Sequence, residues 1–288
     1  MTDAIPVVAA TNEPTNTDTA YWVRVASEYA RMDAPLRPSL QDINFFEETV
    51  AAHALLHSGP SEAMLLGATP DIAAMRWPPS FSLLGIDRSS GMLKALWPGN
   101  VPVNRWAVNA DWLALPMRPS SCDIIIGDGS MNCLRSHQHQ AFARSLHAAL
   151  KPEGILTLRC FAQADPQERP DQVVADALRG TIPTFTQFRF RLLMALQPSA
   201  REGIAVKNVY RFWVTIESEI RSRAVWPSSD IDVIEIYRDG SAVHTFPTLA
   251  ECRASFSEFF DEISVSFPTY YAGDRCPRFV LAPRRSAG

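Results

Sequence analysis

The sequence predicts an α/β fold, a doubly wound, Rossmann-like and mostly parallel sheet, and three observations carry that expectation. Five short apolar runs, 63–66, 81–86, 103–108, 122–126 and 155–158, alternate with segments long enough for crossover helices, such as 136–150. The first run leads into Gly67-Ala68-Thr69-Pro70-Asp71, which reads as a helix start: Thr69 is suited to capping, Pro70 to the first helical position, and Asp71 to the helix dipole. The second run ends in Asp87, 20 residues beyond Gly67, which is the separation at which an acid reaches a ribose hydroxyl in sheets of this kind. Ligands bind such sheets at the carboxyl ends of the strands, so chemistry is sought just after each run.

Taken in order along the chain, residues 1–18 are polar and punctuated by proline, the pattern of a flexible tail. Helices follow at 21–31, with Trp22, Val25, Ala26, Tyr29 and Ala30 in helical phase, and at 40–57. Pro35 and Pro38 keep the connection between them non-helical. Beyond Cys160 helical periods return around 172–178, 188–196 and 206–220, before two strand-like stretches at 263–270 and 278–282 joined by a turn short enough to make them antiparallel. The expected organisation is therefore one domain over 19–288, with N-terminal helices at 19–58 and a helical insertion at about 163–246. That insertion, together with the first helix and its connection, is expected to lie over the strand ends as a lid.

Composition bounds the function. The 288 residues are 47% hydrophobic and 20% charged, enough for a sizeable core. The net charge is −4 and the basic residues form no run, so no nucleic acid and no membrane is expected as a partner. Residues 1–10 carry Asp3, no basic flank and too short an apolar stretch for a signal peptide, which makes a cytoplasmic location the expectation. Cys122, Cys133, Cys160, Cys252 and Cys276 are odd in number and never spaced C-x-x-C, a poor fit to a disulfide framework or a zinc knuckle. His53 and His57 stand four apart, but Ala54 replaces the glutamate of a zinc helix, so no metal is expected. No G-x-S-x-G elbow appears. Arg189 and Arg191 interleave with Phe188 and Phe190, a hint of nucleic-acid contact that the net acidic charge outweighs. The aromatic residues of the insertion, including Phe185, Tyr210, Phe212, Trp213 and Trp226, are expected to be mostly core, with a pocket for an apolar acceptor as the alternative.

A dinucleotide requires G-x-G-x-x-G beside its pyrophosphate, and here only Gly67 is present, which leaves a nucleoside without a pyrophosphate. On this point the chain resembles the class I S-adenosylmethionine-dependent methyltransferases. The resemblance rests on Leu65-Leu66-Gly67-Ala68-Thr69, Gly85-Ile86-Asp87-Arg88-Ser89-Ser90-Gly91-Met92-Leu93, Asn109-Ala110-Asp111-Trp112, Cys122-Asp123-Ile124-Ile125-Ile126-Gly127-Asp128 and Lys151-Pro152-Glu153-Gly154, in that order. These motifs cover about a third of the chain.

The resemblance implies S-adenosylmethionine as cofactor and a sheet whose last strand is antiparallel. It also implies that Gly67 and Ala68 pass under the methionine part, that Asp87, with Arg88 after it, holds the ribose, and that Met92 covers the adenine. Asp111 and Trp112 would bind the adenine edge, and Asp128 and Gly129 would lie near the sulfonium, with Asp128 a candidate base. The family's acid two positions before the glycine is Leu65 here, and its later glycines are Thr69 and Asp71. The methionine end is therefore expected on the helix start at Thr69 or on Arg37, whose guanidinium suits a carboxylate. The Asn/Asp-Pro-Pro-Tyr signature of methylation at exposed amino groups is replaced by Gly127-Asp128-Gly129-Ser130, so the implied acceptor is a small molecule. The alternative is a non-catalytic nucleoside-binding or regulatory protein that keeps the fold. The oligomeric state is open.

Overall fold

A computed structural model describes residues 16–57, 59–98, 104–223 and 226–285. The expected tail falls outside these residues up to position 15. Two helices come first, α1 (Asn16–Glu28) and α2 (Leu40–Leu56). The alternation then runs β1 (Ser61–Leu66), α3 (Pro70–Ala73), β2 (Phe81–Asp87), α4 (Ser90–Leu96), β3 (Arg105–Asn109), β4 (Cys122–Asp128), α5 (His139–Ala149) and β5 (Leu150–Arg159). The helical stretch holds α6 (Pro170–Leu178), α7 (Phe185–Leu196), β6 (Ile204–Ala205), α8 (Val206–Arg223), α9 (Ser228–Ile231), β7 (Val243–His244) and α10 (Leu249–Phe256). The chain closes with β8 (Phe260–Ser266) and β9 (Arg278–Pro283).

The main sheet is ordered β3-β2-β1-β4-β5-β9-β8. The first five strands are parallel, and β9 runs antiparallel to both β5 and β8. That is the class I methyltransferase fold, with the expected antiparallel last strand. The alternation of β1 explains its two-sided burial. Met64 and Leu66 pack with Ile125, Phe142 and Leu146 on the α5 side, while Ala63 and Leu65 meet Phe46, Val50 and Ile72 from α2 and α3 on the other.

The register sets up the ligand end of the sheet. Leu66 pairs with Ile86 on β2 and Gly127 on β4, so the next position, Gly67, lies level with Asp87 and Asp128. Three strand ends therefore bring a glycine and two carboxylates to one line.

Several boundaries differ from expectation, each for a local reason. The strand expected over 263–270 starts earlier, at Phe260, and stops at Ser266 before Pro268, which lacks the N–H a ladder needs. Residues Thr69 and Thr248 are both helix N-caps, but only Thr248 accepts a bond, from Glu251 N–H; the side chain of Thr69 makes no capping bond, correcting the expected cap. The aromatic residues of the insertion form a core of their own. Phe185 meets Trp213 edge-on at 5.4 Å and Phe188 meets Trp226 at 5.3 Å. Arg189 and Arg191 are buried in that core and so are no surface for nucleic acid. Among the described residues no helix is long and apolar enough to cross a membrane.

Ser39 closes a capping box at the start of α2: its Oγ accepts from Asp42 N–H at 3.3 Å and the Asp42 carboxylate accepts from Ser39 N–H at 2.9 Å. Ser39→Ala should cost about 1 kcal/mol. Thermal unfolding should show a fall of a few degrees that Ser39→Asn restores, and an unchanged midpoint for Ser39→Ala would contradict this account of α2.

Candidate functional site

A cleft of about 660 Å³, open on one side to solvent, lies at the carboxyl ends of β1, β2 and β4. Its floor is Gly67, Ala68 and Thr69, the turn after β1. Gly67 adopts φ +104°, a conformation that glycine takes without strain. Its N–H donates to the Ile86 carbonyl at 2.8 Å, and that same oxygen accepts from the Trp112 indole at 2.7 Å. The turn, the end of β2 and the loop after β3 are thereby tied at one atom.

Asp87 and Arg88 form the next wall. Asp87 is 9% exposed and its Oδ1 accepts from Ser89 N–H at 2.7 Å. It is not the cap of α4: Ser89 holds that position, with its Oγ accepting from Met92 N–H at 3.2 Å. Burial pushes the Asp87 carboxyl up to about 6, against the opposing pull of the Ser89 and Ala68 N–H groups and of Arg88. No cation forms an ion pair with it among the described residues.

Met92, Asp111 and Trp112 line the same cleft. Asp111 also closes a local turn, accepting from Leu113 N–H at 2.9 Å. On the far side stand Asp128, Ser130, Cys133 and Leu134, and Trp22 of α1 completes the wall. The Ser130 hydroxyl is buried with no hydrogen-bond partner among the described residues. Burial pushes the Cys133 thiol up to about 12, which leaves it un-ionised.

Nine of the residues expected at the site, Gly67, Ala68, Thr69, Asp87, Arg88, Met92, Asp111, Trp112 and Asp128, meet at this cleft. Two do not line it. Gly129, at φ +62°, faces the Phe161 ring, where a Cβ would come within 2.7 Å of Cε2, and its N–H donates to the Arg159 carbonyl. Arg37 is committed to Asp71, with Nη2–Oδ1 at 2.7 Å and Nε at 3.1 Å from Oδ2, and Tyr29 donates to the same carboxylate at 2.7 Å. Burial works against the ionised form, yet these donors hold the Asp71 carboxyl below the usual range. The expected Arg37 contact with a ligand carboxylate is thus corrected to an ion pair within the protein.

Asp128 is corrected in the same way as a base. Both its oxygens are taken by the fully buried Arg159, with Nη2–Oδ2 at 2.9 Å. Burial raises its carboxyl while Arg159 pulls the other way. A carboxylate so engaged fixes the end of β4, and its ion pair with Arg159 opposes the uptake of a proton.

Sequence reasoning missed Trp22, Ser130, Cys133 and Leu134. For Trp22 the signal was an aromatic residue on an amphipathic helix, and for Ser130 a small polar residue after a strand glycine, both too common to single out. The His53 and His57 rings stack at 4.2 Å, and no group of three or more potential metal ligands occurs among the described residues.

No family model and no curated protein matches the chain. Solved structures do. A Leishmania major S-adenosylmethionine-dependent methyltransferase is similar at TM-score 0.51 and 12% identity, over 92% of this chain and 81% of that one. A Rhodobacter sphaeroides protein provisionally named among Zn-dependent alcohol dehydrogenases is similar at TM-score 0.58 and 12% identity, over 94% of this chain and 100% of that one. At such identity the likeness shows the fold alone.

Proposed function

We propose that this chain is a methyltransferase that uses S-adenosylmethionine to methylate a small-molecule acceptor. The observation that carries the reading is Asp87, a buried carboxylate without a cation partner, set level with Gly67 at the mouth of the cleft. Such an acceptor suits a ribose diol, and Gly67, Thr69 and Asp71 offer no place for a pyrophosphate. Asp111 and the apolar sides of Met92 and Trp112 suit an adenine, and the unpartnered Ser130 hydroxyl is a further donor within the cleft.

Bound S-adenosylmethionine supplies a methyl carbon already activated by a positive sulfur. What the protein adds is position and dryness. Asp87 would accept from the ribose hydroxyls, Gly67 and Ala68 would let the chain of the ligand pass close to the backbone, and Trp22 would keep water from the reacting face. No side chain is assigned as a general base, since Arg159 occupies Asp128.

A second reading, a nucleoside-binding protein without catalysis, is favoured by the buried Leu65 where the family carries an acid, and by the closed Arg37–Asp71 pair. Both readings require the nucleoside. Titration calorimetry should show S-adenosylhomocysteine binding and no binding of NAD. Tight NAD binding without a response to S-adenosylhomocysteine would overturn both, and methyl transfer to an acceptor would separate the first from the second.

A further inference from the structure

Beside the cleft lies a second cavity of about 440 Å³, also open to solvent. The two share a wall made by Trp22, Arg88 and Cys133. Across that wall the charge changes sign. The first cavity carries Asp87, Asp111 and Asp128 beside the shared Arg88, whereas the second is lined, among the described residues, by Arg88 and Arg135 with Gln138 and Ser241 and by no carboxylate.

Several arginines of the molecule meet acids, as Arg37, Arg159, Arg191 and Arg275 do. Neither Arg88 nor Arg135 forms an ion pair among the described residues. Arg135 reaches the Glu202 carbonyl at 3.5 Å through Nη1, a long contact that leaves its fork largely unspent. Its backbone N–H donates to the Gln138 side-chain oxygen at 2.9 Å, which anchors Gln138 beside it.

The layer behind the wall is positive as well. Trp22 meets the His244 ring edge-on, Tyr21 meets Tyr237, and the Arg189 guanidinium stacks on Tyr237 at 5.5 Å. Arg189 is 1% exposed, and its Nε and Nη1 have no hydrogen-bond partner among the described residues. Burial keeps His244 neutral near pH 7, holding its ring down to about 4, so it neither adds to nor cancels this charge.

We propose that the second cavity is the acceptor subsite and takes an anionic group, a carboxylate or a phosphate, of a molecule whose nucleophile reaches the first cavity past Trp22. The proposal rests on the methyltransferase reading above. Two guanidinium groups lining one cavity, with no carboxylate among its described residues, fit the paired oxygens of such an anion. The flat indole of Trp22, shared by both cavities, fits an aromatic body between the anion and the nucleophile.

The test titrates 4-hydroxybenzoate and phenyl phosphate, beside the neutral methyl 4-hydroxybenzoate and phenol, into the parent and Arg135→Gln, each free and loaded with S-adenosylhomocysteine. In the parent at least one anion should bind at least about tenfold more tightly than its neutral counterpart, the expected worth of one charge-assisted contact. Arg135→Gln should lose that preference and keep the parent's affinity for S-adenosylhomocysteine, because Arg135 lines only the second cavity. Which of the two anions is preferred tells carboxylate from phosphate. No preference for either anion, or a preference that survives in Arg135→Gln, overturns the proposal. Failure of S-adenosylhomocysteine to bind the parent is read separately: it removes the methyl donor, and with it the acceptor role, even where the anion preference stands.

Discussion

Arg159→Met should lower the unfolding midpoint by roughly 10 °C, the largest effect on stability expected of a single substitution near the site. The Arg159 side chain is wholly buried and joins four parts of the chain. It holds Asp128 at the end of β4, reaches Asp42 of α2 at 3.2 Å, and donates to the Tyr270 hydroxyl, in the β8–β9 connection, at 2.8 Å. Methionine matches its bulk, leaves Asp128 buried without a cation and leaves Asp42 only the more distant Arg278, at 3.9 Å. Breaking a buried pair by removing one partner costs about 3–5 kcal/mol, and each 1 kcal/mol is worth about 2–4 °C in a domain approaching this size. Adding Asp42→Asn and Asp128→Asn should return part of the loss, since the penalty lies in the stranded charges. A midpoint within about 2 °C of the parent for Arg159→Met would show that the network contributes little beyond packing.

How much of this site could be read from the sequence follows from how local each signal is. Asp87 was legible because its distance from Gly67 and its place after an apolar run are properties of one βα unit. Whether it caps α4 was not, since Ser89, two residues on, is an equally good cap and only the hydrogen bond to Met92 decides. The two corrections at Arg37 and Asp128 share one cause. Each side chain is claimed by a partner more than 30 residues away, Asp71 and Arg159, and no periodicity reports such pairs. Trp22 illustrates the same limit from the other side: helical phase marks an apolar face of α1 but not that the face closes over β1 and β4. The helix α10 went unread although Thr248 and Glu251 carry a capping-box spacing, because the eight residues are too short for a clear period. The fold itself was legible because the buried parallel strands β1, β2, β4 and β5 each carry a short, mostly apolar run, with β3 the more exposed edge.

The direct test of the account is Asp87→Asn, measured for both ligand affinity and stability. Charge-assisted hydrogen bonds from two ribose hydroxyls are worth about 1.5–3 kcal/mol each, so losing the charge and one acceptor should weaken S-adenosylhomocysteine by at least about tenfold. Stability should move the other way. Burial holds the Asp87 carboxyl near 6, above the ordinary carboxylate value of about 3.9, so the folded state binds the proton more tightly than the unfolded chain. Parent stability from this group is therefore lost as pH rises from about 4 to about 6 and is flat above that, a slope the asparagine variant lacks. At pH 7 the variant should be as stable as the parent or more so, with the Ser89 N–H still accepted by its side-chain oxygen. In the parent, affinity should hold above pH 6 and fall below it as the carboxylate is protonated. The decisive measurement is calorimetric titration of S-adenosylhomocysteine into parent and Asp87→Asn at pH 7.5, with unfolding midpoints taken on the same samples. A retained midpoint with at least about a tenfold loss of affinity is the result the account requires, and equal affinity at equal stability would contradict it.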